Sequence, residues 1–240
     1  MPSRLEKARA AHETKNLDEV KKAHKAKDIM APELHKGEGS YVGDFVFGAI
    51  DGSITTFAVV SGVAGAALSV NVVIILGLAN LLADGFSMAV GNYLSSKSNI
   101  EFAERERKRE MWEVENYPKG EIDEIRAIFK RKGFKGKQLE SAVKTVTSNK
   151  KVWVDTMMVD ELHIIEEKAS PVKKGTVTFV SFALVGLIPL IPYLISLFSE
   201  AVKRIVFPLS IILTFIAFFF IGSTKTYVTG KNWFKSGLET

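Results

Sequence analysis

Residues 43–96 read GDFVFGAIDGSITTFAVVSGVAGAALSVNVVIILGLANLLADGFSMAVGNYLSS, with no Lys, Arg, Asp or Glu between Asp51 and Asp84. Spanning the hydrocarbon of a bilayer takes roughly 20 apolar residues. The gap therefore holds parts of two membrane helices joined by a tight turn, the first over about 44–67 and the second over about 70–95. Acids nevertheless sit in the flanks, at Asp44, Asp51 and Asp84, with a thioether at Met88. An ionisable group at membrane depth is costly and by default marks a path for ions or protons. Gly48 and Gly52 are four residues apart, which lets another helix approach closely, and Asp51 lies between them. A purely structural alternative is a carboxylate bonded to Ser53, Thr55 or Thr56. Met in an apolar span is commonly filler. Met88 gains interest from Asp84, which is four residues away on the same helix face.

Outward from this stretch, no Pro interrupts the chain from Ser87 to Asn116, so the second helix is expected to run on into water. The cluster Asn116-Tyr117-Pro118-Lys119-Gly120 ends it. Ile122, Ile125, Ile128 and Phe129 then mark one apolar helix stripe, and Leu139, Val143 and Val146 a second. Gly133 and Gly136 bracket the turn between these two helices. A last helix carries Met157, Met158 and Glu161 within one turn. Apolar runs at 175–198, with Pro189 and Pro192 kinking its outer end, and at 205–224 complete the chain. The fold class is all-α: an integral membrane bundle of four spans with a helical lobe inserted between the second and third. The organisation is a charged leader (1–43), two spans (44–96), the lobe (97–174), two spans (175–224) and a tail (225–240). In the leader, Ala8, Ala11, Leu17 and Val20 form a weak helical stripe, and Gly37, Gly39 and Gly43 loosen the chain before the first span.

Four spans put both termini and the lobe on one side. That side holds 30 of the 32 Lys and Arg, all but Lys203 and Arg204, and the positive-inside rule makes it cytosolic. The leader lacks the apolar core of a signal peptide. The net charge of +5 therefore reflects cytosolic loops rather than nucleic-acid binding, and a basic piece such as KRKGFKGK is better suited to anionic lipid. With no Cys there are no disulfides or thiolate sites. His12, His24, His35 and His163 are scattered, and no nucleophile triad, HExxH or phosphate loop is present. The chain does not read as an enzyme.

Glu110 and Glu113 are three apart, as are Glu121 and Glu124, so each pair shares a helix face. The Pro118 turn folds the pairs towards each other. Converging carboxylates repel unless a cation lies between them, and oxygen donors suit hard or borderline divalent ions. Thioethers at Met157 and Met158, with Glu161, shift the preference towards a transition metal. The alternative is a pair of ordinary solvated Glu-rich helices.

These residues resemble the vacuolar iron transporter family over about 41–240. The resemblance rests on GDFVFGAIDGSITTFAVVSGVAGA, LADGFSMAVGNYLSSKS and the acidic insert that follows. It implies a proton-coupled exporter of Fe²⁺ and similar ions from the cytosol. It also implies a homodimer with the path between its subunits and a cytosolic metal-binding lobe, in a vacuolar or plasma membrane depending on the organism. On the matching positions, the lobe ligands would be Glu110, Glu113, Glu121, Glu124, Met157, Met158 and Glu161. The membrane site would be Asp51 and Met88, with Asp44 an accessory acid at the cytosolic mouth; Asp84 is not required as a ligand. Asn80 stands where the family can carry a glutamate; it can coordinate but cannot carry a proton. The family's fifth membrane helix would begin where this sequence reads SGLET, so this chain is expected to lack it.

The leading expectation is Fe²⁺ or Mn²⁺ export by proton antiport, the lobe capturing the ion and passing it to Asp51 and Met88. Zn²⁺ and Co²⁺ would accept the same donors. The implied partners are membrane lipid, divalent ions, protons and a second copy of the chain. A membrane-anchored metal sensor or buffer that binds without transporting is the rival expectation.

Overall fold

A computed structural model describes residues 10–11, 14–15, 17–23, 38–167, 169–229 and 231–240. His12, His24, His35, Gly37 and Ala8 of the leader lie outside these residues. A short helix, α1 (Leu17–Ala23), precedes the membrane bundle. The first two spans are α2 (Glu38–Gly65) and α3 (Val70–Asn116). Helix α2 begins before Asp44, and Gly39 and Gly43 are helical rather than loosening the chain. A glycine costs a helix about 1 kcal/mol, which the packing of α2 against α7 and α3 along its length outweighs.

Helix α3 is a single uninterrupted element of 47 residues. At 1.5 Å per residue it extends about 70 Å, more than twice the thickness of a hydrocarbon core. One rod therefore carries groups at membrane depth and groups well outside it. Tyr117 closes it, and Pro118 opens α4 (Pro118–Arg131) in the first-turn position where a missing N–H costs nothing. Gly133, at φ +96°, turns the chain into α5 (Gly136–Thr147). The side chain of Asn149 then caps α6 (Lys150–Asp160), accepting from the Lys151 and Val152 N–H groups. These helices close on a core of Ala103 and Val114 from α3, Ile125 and Ile128 from α4, Val143 from α5, and Trp153, Val154, Met157 and Met158 from α6. The expected apolar stripes supply this core.

The strap after α6 is tied down by ion pairs. Arg107 of α3 bonds Asp155 at 2.7 Å and Glu166 at 2.5 Å, and Lys174 bonds Glu167 at 2.7 Å. The third span, α7 (Pro171–Gly186), starts on Pro171, earlier than the charge-free run suggests, because Lys173 and Lys174 are helical. It breaks near the two prolines into a 3₁₀ turn (Ile188–Leu190) and α8 (Ile191–Ser196), the interruption expected there. After α9 (Glu200–Lys203) comes the fourth span, α10 (Val206–Thr224). Its 19 residues rise about 28 Å. Among the described residues four helices, α2, α3, α7 with α8, and α10, are long and apolar enough to cross a membrane. Large apolar side chains such as Leu82, Phe86, Leu184 and Phe215 stay exposed on the bundle, as a lipid-facing surface requires. The tail carries two short helices, α11 (Thr226–Thr229) and α12 (Trp233–Leu238), and Trp233 and Phe234 pack edge-on against Phe219 of α10.

The bundle is set by close backbone approach. A methyl group on Gly48 would lie 2.4 Å from the Thr178 carbonyl oxygen, and one on Gly52 would lie 2.4 Å from that of Phe182. The small-residue face of α2 therefore docks on α7. Asp51, about a quarter turn round the helix from the glycines, flanks this face rather than lying on it. A Gly52→Val substitution should force α2 from α7 and cost about 1–3 kcal/mol. In contrast, Gly62→Ala, where nothing lies within 4 Å, should be neutral or slightly stabilising. Thermal unfolding in detergent micelles checks both; equal melting temperatures would contradict the assigned contact.

Candidate functional site

The lobe acids occupy core-facing positions. Glu110 lies on the same α3 face as Ala103 and Val114, and Glu121 on the same α4 face as Ile125 and Ile128, all of them buried. Glu110 is 2% exposed and Glu121 4%, so neither is an ordinary solvated surface acid. Glu113 is partly buried and Glu124 exposed, and they form the open rim. One oxygen each of Glu110, Glu121 and Glu161 is buried without a hydrogen-bond partner. Leaving such an atom unmade costs about 1–3 kcal/mol, more when charged. Met157 and Met158 are both fully buried in the apolar core next to these helices.

The five carboxylates act on one another. Burial pushes the Glu110 carboxyl up to about 7 against the pull of Arg109, with Glu161, Glu113 and Glu124 adding repulsion. Burial, then Glu124, Glu110, Glu113 and Glu161, pushes Glu121 up to about 7. Glu161 is raised by burial and by Glu124, which lies against it. The group is nevertheless not closed: among the described residues no three His, Cys, Asp or Glu side chains surround a common point at metal-binding range. Arg109 shows why. Its guanidinium reaches Glu110 at 2.8 Å, Glu113 at 2.7 Å and Glu106 at 3.0 Å, occupying carboxylate oxygens of two of the acids. Sequence reasoning missed Arg109. Its only signal was its place one residue before Glu110 and four before Glu113.

In the bundle, the antiparallel pairing of α2 and α3 makes a polar seam. Asn80 donates to the Thr55 hydroxyl at 3.2 Å, and Thr55 donates to the Asp51 main-chain oxygen at 2.9 Å. The Thr55 hydroxyl is thus spent on backbone, not on the Asp51 carboxylate. One turn from Asn80, Asp84 lies within electrostatic range of Asp51. Met88, a further turn on, packs against the apolar core around Phe182. On its other side Asp51 opens into a groove of about 570 Å³ walled by Val46, Phe47 and Ile50, with Lys225 and Thr229 near α11. Asp44 is 9% exposed and accepts a hydrogen bond from Asn92 at 2.8 Å. His163 is exposed on the strap.

These shifts fix a pH dependence. Below about 4.5, folded and unfolded chains both hold the Glu110 and Glu121 protons. Between there and about 7 the unfolded chain releases them first, so the folded lobe loses stability as pH rises. Without divalent metal, the unfolding midpoint reported by the buried Trp153 should fall from pH 5 to pH 8. Replacing both acids, Glu110→Gln and Glu121→Gln, should flatten that fall. A midpoint that rises over this interval would contradict the burial described here.

The family model described as the VIT family matches residues 42–240. The chain is 35% identical to a protein named vacuolar iron transporter from Toxoplasma gondii (strain ATCC 50861 / VEG), over 97% of this chain and 81% of the relative. It is 37% identical to the one from Plasmodium berghei (strain Anka), over 82% and 74%. It is 33% identical to vacuolar iron transporter 1 of Arabidopsis thaliana, over 87% and 82%. These relatives carry the names of transporters, not of enzymes, in keeping with the lack of an enzymatic motif. With the match covering all four spans and the lobe, this chain is an integral membrane protein that belongs to the VIT family.

Proposed function

We propose that the chain exports Fe²⁺ from the cytosol by exchange for protons. The observation that carries this reading is the continuity of α3. One rigid helix bears the buried, unpartnered Glu110 oxygen at one end and Asn80, Asp84 and Met88 at membrane depth at the other. The names of the relatives, vacuolar iron transporters, supply the ion. Mn²⁺ is a second cargo for the same donors.

In this reading the lobe is cytosolic, because 30 of 32 Lys and Arg lie on its side. Glu110, Glu121 and Glu161, with Glu113 and Glu124 at the rim, take the ion and exchange repulsion between carboxylates for attraction to a dication. Arg109 must release Glu110 and Glu113 as the ion arrives. Met157 and Met158 are the soft donors that favour Fe²⁺ over Ca²⁺ or Mg²⁺. The ion then passes Asp44 to Asp51 and Met88. A proton taken up by Asp51 from the far side displaces the ion, which couples the two flows. Asn80 contributes an amide oxygen but no proton, so Asp51 and Asp84 carry the coupling. The groove beside Asp51, apolar except for its acid, Lys225 and Thr229, suits a second copy of the chain, and the working unit is a homodimer.

Proteoliposomes loaded with an iron-sensitive dye and a pH dye test this. The wild type should move Fe²⁺ with opposite proton movement, and parallel runs with Mn²⁺, Zn²⁺ and Co²⁺ rank the cargo. Asp51→Ala should abolish both signals while lobe binding persists. Unaltered flux in that variant would sink the mechanism. Stoichiometric metal binding without flux in the wild type would favour a sensor or buffer.

A further inference from the structure

Asp44 is held by a three-helix hydrogen-bond relay that the proposed transport scheme does not use. Asn92 of α3 donates through Nδ2 to Asp44 Oδ1 on α2 at 2.8 Å, and through the same nitrogen to Thr178 Oγ1 on α7 at 2.7 Å. Thr178 is fully buried and spends its own hydroxyl proton on the Lys174 carbonyl at 3.0 Å. Its oxygen can therefore only accept from Asn92. A carboxylate likewise only accepts. The two acceptors use both amide hydrogens and fix the orientation of the Asn92 amide, since a flipped amide would set oxygen against oxygen. The relay exists because Gly48 lets α2 and α7 touch at the Thr178 carbonyl.

The other Asp44 oxygen, Oδ2, is buried with no partner. Asp44 is a carboxylate more than nine-tenths buried, with one oxygen tied and one left open. An unmade bond of that kind is costly unless a passing cation or proton fills it. Asp44 also lies on the lobe side of Asp51, about 10 Å away along α2.

We propose that Asn92, anchored by Thr178, is a positioning residue that presents Asp44 Oδ2 as a single-oxygen ligand to a divalent cation travelling from the lobe to Asp51. This rests on the transport reading above. A tie that merely joined three helices would need no free carboxylate oxygen. On losing the Thr178 hydroxyl, such a tie would lower the melting temperature without a selective rise in KM. A ligand held at the mouth of the path should govern how readily the ion is taken up, and much less how fast a loaded protein turns over.

The test is initial-rate Fe²⁺ flux in proteoliposomes for the wild type, Asn92→Ala, Thr178→Val and Thr178→Ser, each normalised to folded protein by gel filtration and melting temperature. Loss of a hydrogen bond to a charged group predicts that KM rises about tenfold or more in Asn92→Ala and Thr178→Val, with kcat changed much less. Thr178→Ser, which keeps the hydroxyl, should restore a KM close to that of the wild type. Equal KM values across the set, or a fall in kcat alone that tracks melting temperature, overturn the proposal while leaving transport intact. If Asn92→Ala fails to fold, the Thr178→Val and Thr178→Ser pair decides. Absence of flux in the wild type overturns the transport reading, and this inference with it.

Discussion

The contact on which the bundle depends is backbone against backbone, where Gly48 and Gly52 of α2 lie on the Thr178 and Phe182 carbonyls of α7. Lipid tails are as apolar as leucine, so membrane helices gain little from burying apolar surface against one another and must pack closely instead. This approach brings Thr178 within reach of Asn92, and Asn92 within reach of Asp44. It also sets the rotation of α2. With its glycines facing α7, the helix turns Asp51 towards the seam with α3 and the open groove.

The lobe works by a different balance. Placing Glu110 and Glu121 on core-facing positions exchanges easy packing for acids that resist ionisation near neutral pH. In the proposed transport scheme a dication would offset that penalty and so stabilise the folded lobe as it binds. Arg109 is its resident competitor, holding Glu110 and Glu113 from the solvent side. Because α3 is continuous, the lobe and the second span share one helix with no loop between them. The strap from Glu161 to Ser170, pinned by Arg107 and Lys174, offers a second connection, from the lobe to α7.

Much of the fold was legible in the sequence because its signals are local. The charge-free run between Asp51 and Asp84 marked two spans, Pro118 marked the end of the long helix, and Pro189 with Pro192 marked the break in the third. The lobe acids were legible as pairs, since three-residue spacing shares a helix face whatever the tertiary structure. What escaped depends on contacts between distant residues. Asn92 meets partners 48 and 86 positions away, and no periodicity announces which polar residue on a span will do so. Arg109 was hidden in a run, ERERKRE, where every residue is charged. The proximity of Asp84 to Asp51 is of the same kind, a relation between two helices that spacing along the chain does not report. Gly39 and Gly43 were misread because glycine loosens a chain only where neighbouring packing lets it.

The central claim is that one ion path joins the buried lobe acids to Asp51 along α3. Anomalous scattering from crystals of the protein equilibrated with Mn²⁺ or Fe²⁺ addresses it most directly. The account requires metal peaks among Glu110, Glu121 and Glu161 and a further peak within coordination distance of the Asp51 carboxylate. Peaks confined to exposed surface acids, with none at either place, would contradict it.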